Sequence, residues 1–210
     1  MTQLKSKEIA REARNCISGC HFSLSLRAQT MGGKPADAAT VASVTNVSMS
    51  SGGFSVAMQS NQSGYTFSFS SQQYGSLNFS VATDSTGSPS TISGTNGTDS
   101  VTTNVSDMAA PPSPLRSLIT SQNSAMVTPL LSLAEEAPTG TTEMRLLKNT
   151  ALAILGNLSS YNPEDVHRHG IFDCAPYAAC YWGCVGGGGG MYGCGVYCSQ
   201  HYGCGSFPAQ

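Results

Sequence analysis

From Thr40 to about Ser106, apolar residues alternate with polar ones at a period of two. Phe54, Val56 and Met58, then Tyr65, Phe67 and Phe69, then Leu77, Phe79 and Val81, each have small or polar neighbours. The stretches between them, Ser60–Gly64 and Ser71–Gly75, carry the Ser, Asn, Gln and Gly of turns. Three strands joined by five-residue loops predict an antiparallel meander whose single apolar face holds those nine residues. Val41 to Met49 adds a strand before it and Val101 to Val105 one after. The Ser/Thr/Gly-rich Asp84–Ser100 reads as a mobile loop.

Outside this region the period changes to that of a helix. Ile9, Ala13, Cys16 or Ile17, and Cys20 share one face of Leu4–Cys20, with most charges on the other face, which predicts a short amphipathic helix. Met31-Gly-Gly-Lys-Pro35 ends it. Ala109–Pro114, with three prolines, reads as a linker. Leu115–Leu133 has scattered apolar residues broken by Pro129. Glu143–Leu158 carries a clean stripe of Met144, Leu147, Ala151, Ile154 or Leu155, and Leu158, with Thr141 or Thr142 placed to cap it. The predicted class is α+β, in four parts. Residues 1–33 are an amphipathic helix and leader-like segment, and 34–108 an uncharged antiparallel β-domain. Residues 109–170 are a Pro-rich linker and helical connector, and 171–210 a Cys/Gly/Tyr-rich module.

That last module holds six of the eight cysteines: Cys174, Cys180, Cys184, Cys194, Cys198 and Cys204. The gaps between them are five, three, nine, three and five residues, a mirror-symmetric series. Folding the segment at Val185–Gly193 would pair Cys184 with Cys194, Cys180 with Cys198 and Cys174 with Cys204. Cys180 and Cys184 lie one helical turn apart, as do Cys194 and Cys198, so a helical hairpin with facing disulfides is the preferred geometry. Other connectivities stay open on spacing alone. Gly186–Gly190 reads as a flexible tip, and it lacks the Lys-Ser/Thr of a phosphate loop. Four thiolates from Cys180, Cys184, Cys194 and Cys198 around a metal are the chemical rival. The three-residue gap suits helical pairing better than the two-residue gap usual for structural zinc, so no metal and no cofactor are expected. Cys16 and Cys20 repeat the three-residue gap and need partners elsewhere.

Charge narrows the function. Charged residues make up 10% of the chain, and the net charge is −2. None occurs between Ala38 and Thr83 or from Cys174 onward. A basic stripe for nucleic acid is missing, whereas weakly charged surfaces associate readily, so homo-oligomers are among the expected partners. The carboxylates are scattered and no catalytic motif is present, so no catalytic residue is assigned and an enzyme is not expected. The N-terminal basic residues are followed by no apolar stretch of the Sec type. Cysteine density nonetheless points to an oxidising destination, so a secreted or cell-surface protein exported by a non-Sec route is expected. His167 and His169 read as a solvated, protease-accessible junction, and His201 as surface. The module carries the only tryptophan, Trp182, and five of the eight tyrosines. Tyr181, Trp182, Tyr192 and Tyr197 are the expected contact surface for a target membrane or target-cell protein, since such rings join an apolar body to a polar handle.

Cys174-Ala-Pro-Tyr-Ala-Ala-Cys180-Tyr-Trp-Gly-Cys184, the glycine run and Cys194-Gly-Val-Tyr-Cys198 through Cys204, placed behind a β-rich region, resemble halocin C8-like bacteriocin precursors. The resemblance covers residues 174–210 and rests on cysteine density and position; the twin-arginine export signal such precursors can carry is not present. It implies a non-enzymatic antimicrobial or toxin precursor, with the C-terminal peptide active and the rest a leader, carrier or self-protection part. A self-assembling structural protein locked by disulfides and a thiolate metal-binding protein are the alternatives. The paired three-residue gaps are also similar to those of small chaperones of the mitochondrial intermembrane space. Those have longer inter-pair segments, charged helices and no β-domain.

Overall fold

Alternating apolar residues build a six-stranded antiparallel sheet: β1 Thr45–Ser51, β2 Phe54–Asn61, β3 Gly64–Ser71, β4 Gly75–Thr83, β5 Pro89–Thr95 and β6 Ser100–Asn104, in spatial order one to six. The structure is a computed structural model that describes residues 45–110, 112–159 and 174–202. The expected register is present. Val56 pairs with Phe69, Met58 with Phe67, Phe67 with Phe79, and Phe69 with Leu77. Val56, Met58, Phe67, Phe69, Leu77, Phe79 and Val81 are all buried, while Phe54 and Tyr65 lie half-buried at the margin of the same face. Phe69 and Phe79 meet edge to face at 5.7 Å.

The connections are tighter than the composition suggests. Gly52 and Gly53 both take positive φ, as a two-residue hairpin turn of the sheet's own twist requires. Gln62-Ser63 joins β2 to β3, where five-residue loops were expected. Asp84–Ser100 is a correction, because it contains strand β5 and is not a loop. Asp84 Oδ1 accepts from Thr86 N at 2.8 Å, Thr86 Oγ1 at 2.6 Å and Ser88 N at 3.0 Å, which closes the turn before β5. These hydrogen bonds hold the Asp84 carboxyl below its ordinary value. Asn96 Oδ1 accepts from Thr98 N and Asp99 N after the strand. Ile92 and Gly94 supply its buried face. A Cβ at Gly94 would lie 2.6 Å from Phe79 Cε1 and 2.7 Å from Leu118 Cδ1, so the strand's second core position must be empty of side chain.

The segment expected as a linker is also corrected. 3-10 turns at Val105–Ala109 and Pro114–Leu118 bury Val105, Met108, Leu115 and Leu118 on the sheet. Helix α1, Val127–Glu135, starts just ahead of Pro129. The proline therefore falls in the first turn, where a missing N–H costs nothing. Helix α2, Thr142–Leu158, is capped by Thr141, whose Oγ1 accepts from Met144 N at 3.2 Å. From Leu147 to Gly156 every residue of α2 is buried, the polar Lys148, Asn149 and Thr150 included. This helix is the central post of the fold rather than an amphipathic connector. Helices α3, Cys174–Gly186, and α4, Met191–Tyr202, follow. One hydrophobic core runs through sheet, α1, α2 and both C-terminal helices, and these described elements belong to one compact unit. From Leu147 to Gly156 no side of α2 is left to solvent, so the sheet, the turns that follow it and the hairpin share that core. The architecture is α+β: a β-meander, short helices and a disulfide-stapled C-terminal hairpin. The helix expected at Leu4–Cys20, the start of the first strand at Val41, Cys16, Cys20, Cys204 and the junction with His167 and His169 lie outside the described residues.

Candidate functional site

Helices α3 and α4 form the hairpin that the mirror-symmetric spacing predicts. Cys180 bonds Cys198, with Cα atoms 5.9 Å apart, and Cys184 bonds Cys194, with Cα atoms 5.7 Å apart. Both separations are ordinary for disulfides. Cys174 is disulfide-bonded as well, and its expected partner, Cys204, lies outside the described residues. Sulfurs held in disulfides are not thiolates, so Cys180, Cys184, Cys194 and Cys198 do not form the rival metal site. Among the described residues no group of three or more His, Cys, Asp or Glu is placed to hold a metal.

The glycine run is an ordered turn rather than a loose tip. Gly188 N donates to Val185 O at 3.0 Å and Gly189 N to Cys184 O at 3.0 Å, with Gly188 at φ +91°. A Cβ at Gly189 would overlap the Cys194 sulfur and sit 2.8 Å from the Cys184 carbonyl, so the inner disulfide closes over a residue that must be glycine.

Two of the four rings expected at the surface lie inside the folded chain. Tyr181 and Trp182 are fully buried, as is Tyr177. The reason is helical phase: Cys174, Tyr177, Ala178, Tyr181, Trp182 and Val185 recur at three- and four-residue steps and form one stripe of α3, all of it buried. That stripe is a stronger signal than the count of exposed-type aromatics, and it marks the face that seats on α2. Each polar ring atom has a partner there. Tyr181 Oη lies 2.7 Å from Thr150 Oγ1, Tyr177 Oη donates to Asn149 O at 3.2 Å, and Trp182 Nε1 donates to Ala153 O at 3.3 Å. Tyr177 and Tyr181 stack at 6.0 Å, and Trp182 meets Tyr181 edge-on at 5.0 Å. Burial pushes both phenols well above their ordinary range. Tyr192 and Tyr197 are half-buried. Arg145 of α2 lies 5.2 Å over the Tyr192 ring, and Tyr197 packs on His201 at 4.3 Å.

Glycines bring the backbones of hairpin and body together. A Cβ at Gly156 would lie 2.7 Å from Cys174 O, and one at Gly186 would lie 2.8 Å from Ser106 Cα. At Gly195 a Cβ would overlap the Asn149 side chain. Asn149 is fully buried, and neither atom of its side-chain amide has a hydrogen-bond partner. Lys148, also buried, donates from Nζ to Glu135 O at 2.7 Å, closing the end of α1. Burial lowers the Lys148 ammonium and raises the Glu135 carboxyl, each partly offset by the other's charge.

The seam is thus closely packed but joined by few polar contacts. The disulfides are consistent with an oxidising or extracellular environment, and among the described residues no helix is long and apolar enough to cross a membrane. No protein family, curated protein or solved structure matches the chain.

Proposed function

We propose that this chain is a non-enzymatic, bacteriocin-like precursor in which the body, residues 45–159, carries and masks a C-terminal cysteine hairpin. One observation carries the reading. The two described disulfides close the hairpin on itself, while Tyr177, Tyr181 and Trp182 rest on α2 through noncovalent contacts. A segment that keeps its own crosslinks after separation, yet hides its aromatic stripe beforehand, suits a cargo held silent until processing. The unpartnered Asn149 amide supports separation, since a buried amide without partners costs about 1–3 kcal/mol and regains hydrogen bonds once water enters. Once released, the stripe would present three rings to a target membrane or a target-cell protein, and the producing cell would export the chain by a non-Sec route.

The test places a specific protease site after Gly170 in the full-length protein. The intact protein should neither partition into lipid vesicles nor inhibit growth. The cleaved protein should release an oxidised hairpin that does one or the other, with Trp182→Ala weakening the effect. A cleaved hairpin that stays on the body, or that leaves it without lipid, growth or protein-binding activity, counts against this reading.

A second reading has its own support. Among the described residues β1 pairs with β2 alone, and its seven residues carry no charge and no proline, so the edge lacks the usual defences against pairing with another chain. A disulfide-locked structural assembly would use that edge. Met49→Lys would then convert large species to monomers, an outcome the precursor reading does not predict.

A further inference from the structure

The outer face of the sheet is a second surface with its own chemistry. Pairing places Asn46, Gln59, Thr66, Ser80, Ser93 and Thr102 in one row across all six strands. A parallel row holds Ser48, Ala57, Ser68, Asn78, Thr95 and Ser100. The rows stand about 7 Å apart and run about 24 Å from β1 to β6, from ordinary strand dimensions. They line an open trough of about 630 Å³. None of these twelve positions is charged, and eleven carry a hydroxyl or an amide. An ordinary solvated surface is roughly 25–35% charged. The described chain places its charges elsewhere, at Arg116, Glu135, Glu136, Glu143 and Arg145 among others, and β1 to β4 carry none on either face.

We infer that the trough binds an extended, neutral, hydroxyl-rich polysaccharide lying across the strands. Charge decides the class. With no cation on the face, nucleic acid and anionic polymers find no counter-charge. Among the twelve only Ala57 is apolar, so the rows offer no large apolar side chain to a lipid surface or an amphipathic helix. Hydroxyl and amide groups both donate and accept, which matches a ligand whose own groups are hydroxyls. The recurrence of such groups at about the strand spacing of 4.8 Å suits a polymer with a short extended repeat better than a compact small molecule. Part of the face is already ordered. Ser68 Oγ donates to Asn78 Oδ1 at 2.8 Å, and Ser93 Oγ lies 2.8 Å from Thr102 Oγ1, so less side-chain entropy is lost on binding. This face is opposite the core that seats the hairpin, so the inference stands whether or not the hairpin is a released peptide.

The test is affinity electrophoresis of the full-length oxidised protein through gels containing hydroxyethylcellulose, pullulan or mannan, with alginate as the anionic control. Retardation by at least one neutral polymer and none by alginate is expected. Ser80→Arg, at an exposed position in mid-trough, should weaken that retardation about tenfold or more, roughly 1.4 kcal/mol. Gln73→Arg, the same charge change in the β3–β4 turn, should leave it unchanged, and both variants should keep the wild-type circular dichroism. Asn78→Ala, which adds no bulk, should weaken binding more mildly and guards against a misfolded Ser80→Arg. The inference is overturned by no retardation in any neutral polymer, by equal retardation of wild type and both trough variants, or by retardation in alginate as strong as in the neutral gels.

Discussion

At Phe67 and Ser68, adjacent residues lie on opposite faces of β3. Phe67 is buried against Phe79, whereas Ser68 lines the outer trough. Phe67→Asp should therefore cost several kcal/mol, because it buries a carboxylate without a partner. Ser68→Asp should stay within about 0.5 kcal/mol. Urea unfolding of the two variants measures the difference, and similar losses would place the sheet in another register. Tyr177 and Tyr181 give a pH test. Their folded-state pKa values lie above the ordinary 10.0, so the folded chain holds both protons after the unfolded chain has begun to lose its own. The stability they contribute is fully present below pH 10 and falls as pH rises beyond it. Alkaline titration followed by phenolate absorbance should show exposed tyrosines ionising first, then a cooperative step that coincides with loss of circular dichroism. Smooth ionisation of all tyrosines at one pH would show that the two rings are solvated. Asn149→Leu should raise stability by about 1–3 kcal/mol, since it removes a buried amide that has no partners.

Among the elements, the hairpin is held by two nested crosslinks, and each closes a short loop. On the chain-entropy account a loop of this size contributes roughly 3 kcal/mol, and the second of a nested pair contributes less. The double variant Cys184→Ser/Cys194→Ser should lose about that amount in urea while Cys180–Cys198 persists, as non-reducing peptide mapping would show. The mapping also checks the pairing itself. Strand and helix signals differed in legibility for physical reasons. β2, β3 and β4 each carry three large apolar residues at period two, so their identity and inner face follow from local sequence. β5 offers only Ile92 and a glycine to the core, and its strand character comes from pairing with β4 and β6. In α2 the polar trio Lys148, Asn149 and Thr150 mimics a solvent face, yet each is buried by an element distant in sequence.

Across the whole molecule, one helix organises two partners. α2 takes the sheet and α1 on one part of its circumference and the hairpin on the rest. Gly156→Val should loosen this arrangement at the hairpin alone, because its side chain would meet Cys174 O and Ala178 Cβ. We expect a loss of about 1–3 kcal/mol from overpacking, with tryptophan fluorescence shifting as Trp182 gains water while the sheet keeps its far-ultraviolet signature. Unchanged fluorescence would mean that α2 and α3 are less closely seated than their glycine contact requires.

Periodicity by itself determined the meander with its buried face and the helix over Glu143–Leu158. Mirror-symmetric spacing made the nested Cys180–Cys198 and Cys184–Cys194 pairs the preferred ones, which the structure then shows, with Thr141 as the helix cap. All are local or mirror-symmetric patterns, in which each residue's role depends on neighbours a few positions away or on a fold about one point. The burial of Tyr181 and Trp182, the strand at β5 and the packing of the supposed linker were decided only by tertiary structure. An aromatic residue with a polar handle suits an exposed surface and a core equally well. Here Thr150 Oγ1 and the Asn149 and Ala153 carbonyls lie within hydrogen-bond reach of the three rings, and that satisfies the handles inside the molecule.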